Sequence, residues 1–469
     1  MDTPQLRPVR RLSSFLKFTN AFREMVCLLR WNVKLRKMLD SAVPTLLLSL
    51  FTCTLIFFSR NEVTLCSDMG GLSLKAGEER EISFQLLITP LKPLDPDHWN
   101  WRYFQAWKDA SSPEQAEKDR VKILSVHHAN EYNPFINYPF LTKEKLRAFA
   151  RDAHDRGMRV KYYYTLRELS NYAVELWAFR AVEPNMFPNQ NKRGGDSWLQ
   201  EHVFDDYDRA WHSWSANTDV TDAAILTTGH SRLMNYYLEG LYWLTRYLGD
   251  DGLYIDGLAY DREGMRRVRK ALDSAKPGCI VDFHCGRVES SNANLFMKHF
   301  PYVDSIWFGE GFDYGEKPDY WLIEVAGLPF GLWGEMLGAG NPWRGMLYGM
   351  SSRLGWGGDP RAIWKAWDEF GIQDSKMIGY WEKGCPVSTG RDDILATVYV
   401  KKDKALISLA SWAREPVEVR LSIAWDKLGI NPGDLRAPKI EGFQEERRFS
   451  PTELIPTPKG KGWLLLVGK

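Results

Sequence analysis

The chain has 469 residues, of which 44% are apolar and 26% charged, a composition that is ordinary for a folded protein and excludes disorder over most of its length. This length exceeds that of one compact domain and allows a barrel of ~250 residues with one or two smaller domains. The formal net charge of +1, from 61 basic and 60 acidic residues, argues against nucleic acid as a partner.

Aromatic residues are unusually frequent, with 20 Trp, 20 Tyr and 23 Phe making up 13% of the chain. They predict either a Trp-rich core or a sugar site, because flat aromatic faces cover the C–H surfaces of pyranose rings. The six cysteines follow neither a C-x-x-C nor a metal-ligand spacing. We therefore expect neither a disulfide framework nor a zinc site. No cofactor is predicted from the sequence.

The N-terminal region combines a basic segment with an uncharged one. Residues 1–40 carry nine Lys or Arg and three acidic residues, and residues 41–59 (SAVPTLLLSLFTCTLIFFS) carry no charge. This pattern predicts a single-pass membrane anchor, with the rest of the chain outside the cytoplasm. Pro44, Ser49, Thr52 and Thr54 interrupt the apolar run, so one or two buried strands are the alternative.

Residues 61–120 predict a partial β-sandwich followed by a linker. The segment GLSLKAGEEREISFQLLITP has the Gly turn and apolar run of a hairpin, and LKPLDPDHWNWRYFQAW is interpreted as an aromatic linker.

Strands and helices alternate over residues 121–384, as only an α/β fold explains. The clearest predicted strands are 121–130, 158–169, 252–261, 278–286, 302–312 and 327–337. We predict a TIM-type (β/α)8 barrel in which strands ending near Asn130, Leu166, Asp256, His284 and Gly309 share one closed sheet. An open doubly wound sheet is the alternative, but no G-x-G-x-x-G loop follows the first strand. Residues 391–469 alternate apolar and polar positions and predict a C-terminal antiparallel β-sandwich.

Two carboxylic acids follow apolar strands at the positions where barrel enzymes carry their reactive groups. Asp256 ends the run GLYI and precedes Gly257, and Glu310 stands between two glycines in SIWFGEGFDYG. Paired carboxylates are what glycoside hydrolysis requires, so we predict Asp256 and Glu310 as the catalytic pair, 5 to 10 Å apart (about the span of known glycosidases). A helix-capping Asp and a solvated Glu in a turn are the structural alternatives.

Further polar and aromatic residues near strand ends are predicted to line the substrate site: His127, His128, Arg167, Glu168, Tyr260, Asp282, His284, Trp307 and Glu335. The histidines lack H-x-H or H-E-x-x-H spacing, so no metal is predicted.

Several segments together resemble glycoside hydrolase 123-like proteins: YYTLRELSNYAVELWAFR, SWLQEH, GLYIDGLAYDR, VDFHCG, WFGEGFDY and GLPFGLWGEML. The resemblance covers the chain from about residue 72 to the C-terminus. It implies an N-terminal β-sandwich, a TIM-like catalytic barrel and hydrolysis of a glycosidic bond, with N-acetylgalactosaminides as the substrates of the founding family.

The chain departs from that family at one motif. The resemblance implies an adjacent Asp-Glu pair at a strand end and the substrate's acetamido group as nucleophile, but the one Asp-Glu here, Asp368-Glu369, lies in a helical pattern. The acetamido-sugar substrate and its mechanism are therefore not carried over.

Three functions remain open from the sequence. The first is a membrane-tethered glycosidase with a carbohydrate substrate. The alternatives are a non-catalytic carbohydrate-binding or scaffold protein on a hydrolase barrel, and a barrel enzyme of another class such as a metal-dependent hydrolase.

Overall fold

The computed structural model describes residues 89–182, 220–225, 230–257, 261–284, 296–307, 312–338 and 340–468, together with the backbone of six further strands. The chain divides into two compact units, Met1–Leu91 and Lys92–Lys469.

The first unit contains antiparallel strands. In chain order they are β1 Leu16–Thr19, β2 Arg30–Leu35, β3 Cys53–Phe58, β4 Glu62–Asp68 and β5 Arg80–Gln85. Strand β4 pairs with both β1 and β3, and β2 pairs with β5.

The predicted membrane anchor is wrong. Residues 53–58 of the uncharged segment form strand β3, which pairs with β4 in the register Cys53↔Asp68 to Phe58↔Val63. In the part of the chain that the structure describes, no helix has the length and apolarity needed to cross a bilayer. The single-pass, extracytoplasmic localisation built on that helix is therefore withdrawn, and the strand alternative holds for residues 53–58.

The second unit begins with the barrel. The strands of this region, in the barrel and in one smaller sheet, are in chain order β6 Tyr103–Ala106, β7 Ile123–Val126, β8 Arg159–Tyr162, β9 Glu168–Ser170, β10 Trp211–His212, β11 Asp222–Ala224, β12 Gly252–Asp256, β13 Ile280–His284, β14 Ser305–Trp307 and β15 Trp333–Gly334. Seven of them are parallel and adjacent, in the runs β6-β7-β8 and β12-β13-β14-β15. Strands β9, β10 and β11 form a small antiparallel sheet.

Single parallel bridges close the barrel. Tyr163 pairs with Tyr254 and so joins β8 to β12, while residues 352–354 fill the eighth position by bridging to Met336 and Phe104. The predicted (β/α)8 barrel is confirmed. Its first strand, β6, lies in the segment that the sequence analysis interpreted as a linker.

The barrel strands are explained by burial, and the longest surrounding helix is bounded by residues that cap its ends. Every residue of β7 and β13 is buried, as parallel strands covered on both faces require. The helices around the barrel are Pro113–Lys118, Lys143–Asp155, Val174–Val182, Arg232–Leu248, Arg262–Ala275 and Arg361–Phe370. The longest of these helices starts where the Ser231 hydroxyl accepts from the Met234 amide, and it ends at Gly249, which has a φ of 80°.

The C-terminal part is an antiparallel β-sandwich, as predicted. Its strands are β16 Lys376–Ile378, β17 Val387–Ser388, β18 Ile394–Val400, β19 Lys404–Ser411, β20 Val417–Val419, β21 Ser422–Ile423, β22 Leu435–Ala437, β23 Arg447–Phe449, β24 Ile455–Thr457 and β25 Gly462–Gly468. Six form the sheet β16-β18-β19-β25-β22-β23, and the pairs β17-β21 and β20-β24 form two further two-stranded sheets. The guanidinium of Arg344 donates to the Ser411 carbonyl at 3.1 Å, which ties the barrel to this sandwich.

Candidate active site

Asp256 ends strand β12 at the carboxyl-terminal mouth of the barrel. Its Oδ2 accepts from the Tyr163 hydroxyl at 2.8 Å and from Arg167 at 3.3 Å, and its Oδ1 lies 3.1 Å from Nδ1 of His284. Burial alone would raise the pKa of Asp256, but the hydrogen bond from His284 and the charge of Arg167 together hold that pKa well below its usual range. The surrounding donors therefore favour the ionised form of Asp256.

Arg167 also contacts a second carboxyl group. Its Nε donates to Oε1 of Glu168 at 2.7 Å, while Oε2 of Glu168 is buried and has no hydrogen-bond partner among the described residues. Burial raises the pKa of Glu168 to about 7, although the charge of Arg167 opposes the shift. We call Asp256, Arg167, Glu168 and His284 the mouth cluster.

Gly257 lets the Arg167 side chain lie against the end of β12. Its φ is +72°, in the left-handed region, and a Cβ at this position would be 2.9 Å from Nη1 of Arg167. Glycine is thus favoured after Asp256 because the backbone is left-handed there and because a Cβ would be too close to the Arg167 guanidinium.

Two buried histidines follow strand β7. The rings of His127 and His128 are 4.5 Å apart, and the His127 ring is 4.4 Å from that of Tyr163. Burial lowers the pKa of His128 to about 4 and that of His127 well below its usual value. Both imidazoles are therefore neutral near pH 7, the state in which a ring both donates and accepts hydrogen bonds.

Aromatic and charged side chains adjoin these histidines, and the rings of His127 and Trp356 are 5.6 Å apart. Trp307 is fully buried, and the Arg353 guanidinium lies 5.6 Å from its ring and 4.8 Å from that of Trp356. Glu335 is also fully buried, and neither carboxyl oxygen has a partner within the described ranges. Burial raises the pKa of Glu335 well above its usual value and so favours its protonated form.

Asp282 lies deeper in the barrel, two residues before His284 on the same strand. It forms an ion pair with Lys161 and accepts hydrogen bonds from Tyr103 at 2.9 Å and Ser305 at 2.6 Å. We call Tyr103, Lys161, Asp282 and Ser305 the deep cluster. Since three donors already serve this carboxylate, the structure supports a role for Asp282 in holding the strands together.

Two predicted site residues, Glu310 and Tyr260, lie outside the described residues. Over the same described part of the chain, no group of three or more His, Cys, Asp and Glu side chains could hold a metal ion.

Three further side chains contact the predicted site residues and were not predicted from the sequence: Tyr163, Tyr254 and Arg353. Alternation along KYYYT places Lys161 and Tyr163 on the same face of the chain, which could have identified Tyr163. Tyr254 lies two residues before Asp256, and its hydroxyl is 2.8 Å from His284 Nδ1. Arg353 belongs to the short closing segment of the barrel, which has no apolar run to mark it as a strand.

Comparison with family models identifies the class of protein. Residues 95–355 match the model of the glycoside hydrolase 123 TIM-barrel domain, and residues 359–468 match that of the glycoside hydrolase 123 C-terminal domain. The chain belongs to glycoside hydrolase family 123. The resemblance stated from the sequence is confirmed, and the chain is a glycoside hydrolase with a carbohydrate substrate.

Comparison with solved structures matches the chain to several glycosidases. An α-amylase from Geobacillus thermoleovorans has 10% identity and a TM-score of 0.48, with 76% of this chain and 91% of that chain covered. A debranching enzyme from Nostoc punctiforme has 9% identity and a TM-score of 0.48, with coverage of 81% and 100%. A cyclomaltodextrinase has 11% identity and a TM-score of 0.47, with 99% of each chain covered. No curated protein matches the chain.

The departure from the family motif is visible in the fold. Asp368 lies in the helix Arg361–Phe370, where it forms ion pairs at 2.7 Å with Arg102 and Arg120. The Asp-Glu pair of this chain is thus outside the barrel mouth, and at the mouth Asp256 is followed by glycine.

Proposed function

We propose that this chain hydrolyses a glycosidic bond at the barrel mouth, with Asp256 as the carboxylate that faces the anomeric carbon and a second carboxyl group as the proton donor. The observation that carries the proposal is the environment of Asp256. Tyr163, Arg167 and His284 hold its two oxygens in place and keep it ionised although it is largely buried.

A fixed, ionised carboxylate suits the charge that develops in this reaction. The transition state of glycoside hydrolysis resembles an oxocarbenium ion, and an anion that is already oriented stabilises it without rearrangement. Asp256 would act as a nucleophile or as an electrostatic partner of that positive charge.

The second carboxyl group must carry a proton when the leaving oxygen departs. Glu310 is the candidate from the sequence, and its role and its distance from Asp256 remain predictions. A general acid needs a raised pKa, which an apolar, aromatic environment provides.

Neutral imidazoles beside Asp256 support a sugar as the group that is bound. His127 and His128 can each donate to one sugar hydroxyl and accept from another. Among the described residues, His127 Nδ1 and His284 Nε2 are buried and have no partner, so hydroxyl groups of a ligand would satisfy them.

The test is a screen of the purified full-length chain against a panel of 4-nitrophenyl glycosides, with release of 4-nitrophenol as the readout. We expect turnover of at least one glycoside, and a loss of at least ~10²-fold in kcat for Asp256→Asn while binding of the same glycoside persists. Binding without turnover by the wild-type chain would favour the non-catalytic carbohydrate-binding alternative.

Asp261→Asn is the matched control. Asp261 caps the next helix by accepting from the Gly264 amide at 2.8 Å, and asparagine caps helices equally well. Undiminished turnover in Asp256→Asn would contradict the assignment of Asp256.

A further inference from the structure

Arg167 holds two carboxyl groups with one guanidinium. Its Nε donates to Glu168 at 2.7 Å and its Nη2 donates to Asp256 at 3.3 Å. Because a guanidinium is small and planar, these two contacts keep the carboxyl groups within roughly 9 Å of each other, the range found for the paired carboxylates of glycosidases.

The free oxygens of the two carboxyl groups differ. Both oxygens of Asp256 have donors, whereas only Oε1 of Glu168 has one, and Oε2 is buried without a partner in the described part of the chain. A proton on Glu168 must therefore be on Oε2, because Oε1 already accepts from the arginine. Such a carboxyl group donates from Oε2 while it stays anchored through Oε1.

The surroundings of Glu168 favour its protonated form. Its side chain is only 8% exposed, and the nearby charges are those of Arg167 and Asp256, which have opposite signs. From the helix Arg232–Leu248, Tyr236 and Tyr237 line a cavity next to it, and strand β11 places Ala224 opposite it. No second cation faces Glu168 from these described elements, so burial outweighs the effect of Arg167.

We infer that Glu168 is the general acid of the hydrolysis, with Arg167 as the positioning residue that sets its distance from Asp256. This inference rests on the proposed function. Glu168, which the sequence predicts only to line the substrate site, would then be the proton donor.

In this step a proton moves from Glu168 to the leaving oxygen. The Oε2–H bond of Glu168 breaks as an O–H bond forms on the glycosidic oxygen, and the C1–O bond breaks with its electron pair going to that oxygen. The Asp256 carboxylate stabilises the positive charge left on the sugar. The oxygen of a water molecule then bonds to C1, and the proton that this water loses restores Glu168, directly or through solvent.

Leaving-group dependence tests this role. On the sugar that the wild-type chain accepts, Glu168→Gln is compared with wild type using a phenyl glycoside, whose leaving oxygen needs a proton, and a 2,4-dinitrophenyl glycoside, whose leaving oxygen does not. We expect kcat/KM to fall at least ~10²-fold on the phenyl glycoside and less than ~5-fold on the dinitrophenyl glycoside.

The pH profile gives a second readout. Since a general acid must be protonated, wild-type kcat/KM on the phenyl glycoside should fall as the pH rises through about 7, and Glu168→Gln should lack this alkaline limb. Glu239→Gln, an exposed carboxyl-to-amide change on the helix Arg232–Leu248, is the matched control and should leave both rates and the limb unchanged.

Other results would overturn either the assignment of Glu168 or the proposed function. Equal losses on both leaving groups, or none on either, would overturn the assignment, as would the leaving-group pattern appearing in Glu310→Gln instead. If Glu168→Gln does not fold, Glu168→Asp still carries a carboxyl group; it should keep an alkaline limb at reduced kcat, and loss of the limb would overturn the role. Absence of wild-type turnover on every glycoside would reject the proposed function itself.

Discussion

The deep cluster and the mouth cluster lie in the same barrel and differ in how completely their charges are paired. In the deep cluster, Asp282 has three donors and Lys161 has a carboxylate beside it. In the mouth cluster, Arg167 is shared by two carboxyl groups, and one oxygen of Glu168 has no partner among the described residues. The charges of the deep cluster are therefore paired, whereas the mouth cluster leaves one carboxyl oxygen without a partner in the described part of the chain.

The two clusters also show what burial does to an acid. Asp256 and Asp282 are both at strand positions inside the barrel, but the pKa of Asp256 is lowered while that of Asp282 is raised by burial in spite of Lys161. The pKa of each carboxyl group thus depends on the donors around it. We expect changes to those donors to separate effects on stability from effects on activity.

The largest expected effect is on stability in the deep cluster. Lys161→Met removes the cation beside Asp282 and leaves a buried carboxylate with only neutral donors. We expect the free energy of unfolding to fall by ~3–5 kcal/mol, measured by urea denaturation. Combining Lys161→Met with Asp282→Asn should recover most of that loss, because the unpaired charge is then gone. A double variant as unstable as the single one would show that the charge pair is not the cause.

The next effect is on activity at the mouth. His284→Leu removes the hydrogen bond that lowers the pKa of Asp256, so that pKa should rise toward its usual range. Because the role proposed for Asp256 requires its ionised form, we expect kcat/KM to fall by ~10-fold or more at about pH 4 and to gain an acidic limb in its pH profile. The control is His299→Leu, at a buried histidine outside the cluster, which should leave the profile unchanged. A flat acidic region in His284→Leu would argue against this coupling.

A smaller effect is expected at the turn after β12. Gly257→Ala would place a Cβ against Arg167 and move the guanidinium away from the two carboxyl groups, so kcat/KM should fall by about 10-fold. Gly278→Ala is the matched control, because Gly278 has a similar φ of +83° but nothing within 4 Å of the added Cβ. Equal activity losses in the two variants would mean that backbone strain, not displacement of Arg167, is responsible.

The smallest effect concerns the stability cost of Glu168. Its pKa is raised in the folded chain, so Glu168 favours folding at low pH and loses that contribution as the pH rises through about 7. Glutamine does not ionise, so Glu168→Gln does not lose this contribution. The stability of Glu168→Gln relative to wild type should therefore increase from about pH 5 to pH 8, by on the order of 1 kcal/mol. Thermal unfolding at the two pH values measures it, and a gain that is independent of pH would contradict this explanation.

The sequence predicts the barrel and the position of Asp256 at its mouth, because both depend on local patterns. Apolar runs such as those of β7 and β13 reflect strands covered on both faces, and an acid at the end of such a run lies at the mouth by the geometry of parallel strands. Residues 41–59 were misinterpreted because a run of Leu, Ile, Phe and Thr suits a membrane helix and a buried strand equally well.

The remaining features depend on distant contacts that no local pattern reveals. Arg167 reaches Asp256, 89 positions further along the chain, only when β8 and β12 are neighbours. The raised pKa of Glu168 depends on burial by other elements. Strand β6 and the closing residues 352–354 were missed because they are short and are held in the sheet by their neighbours.

The join between β8 and β12 has a consequence for motion. Over the described residues, these strands share one bridge, Tyr163↔Tyr254, and the Asp251 amide donates to the Val160 carbonyl. The amides of Val160 and Tyr162 donate to the side chains of Asp251 and Asp250 and not to the backbone of β12. By contrast, β12 and β13 pair along their length, from Gly252↔Ile280 to Asp256↔His284. Backbone amides along this join should exchange with deuterated solvent faster than those between β12 and β13. Glu168 follows one side of the join and Asp256 ends the other, so a bound sugar that contacts both would slow that exchange.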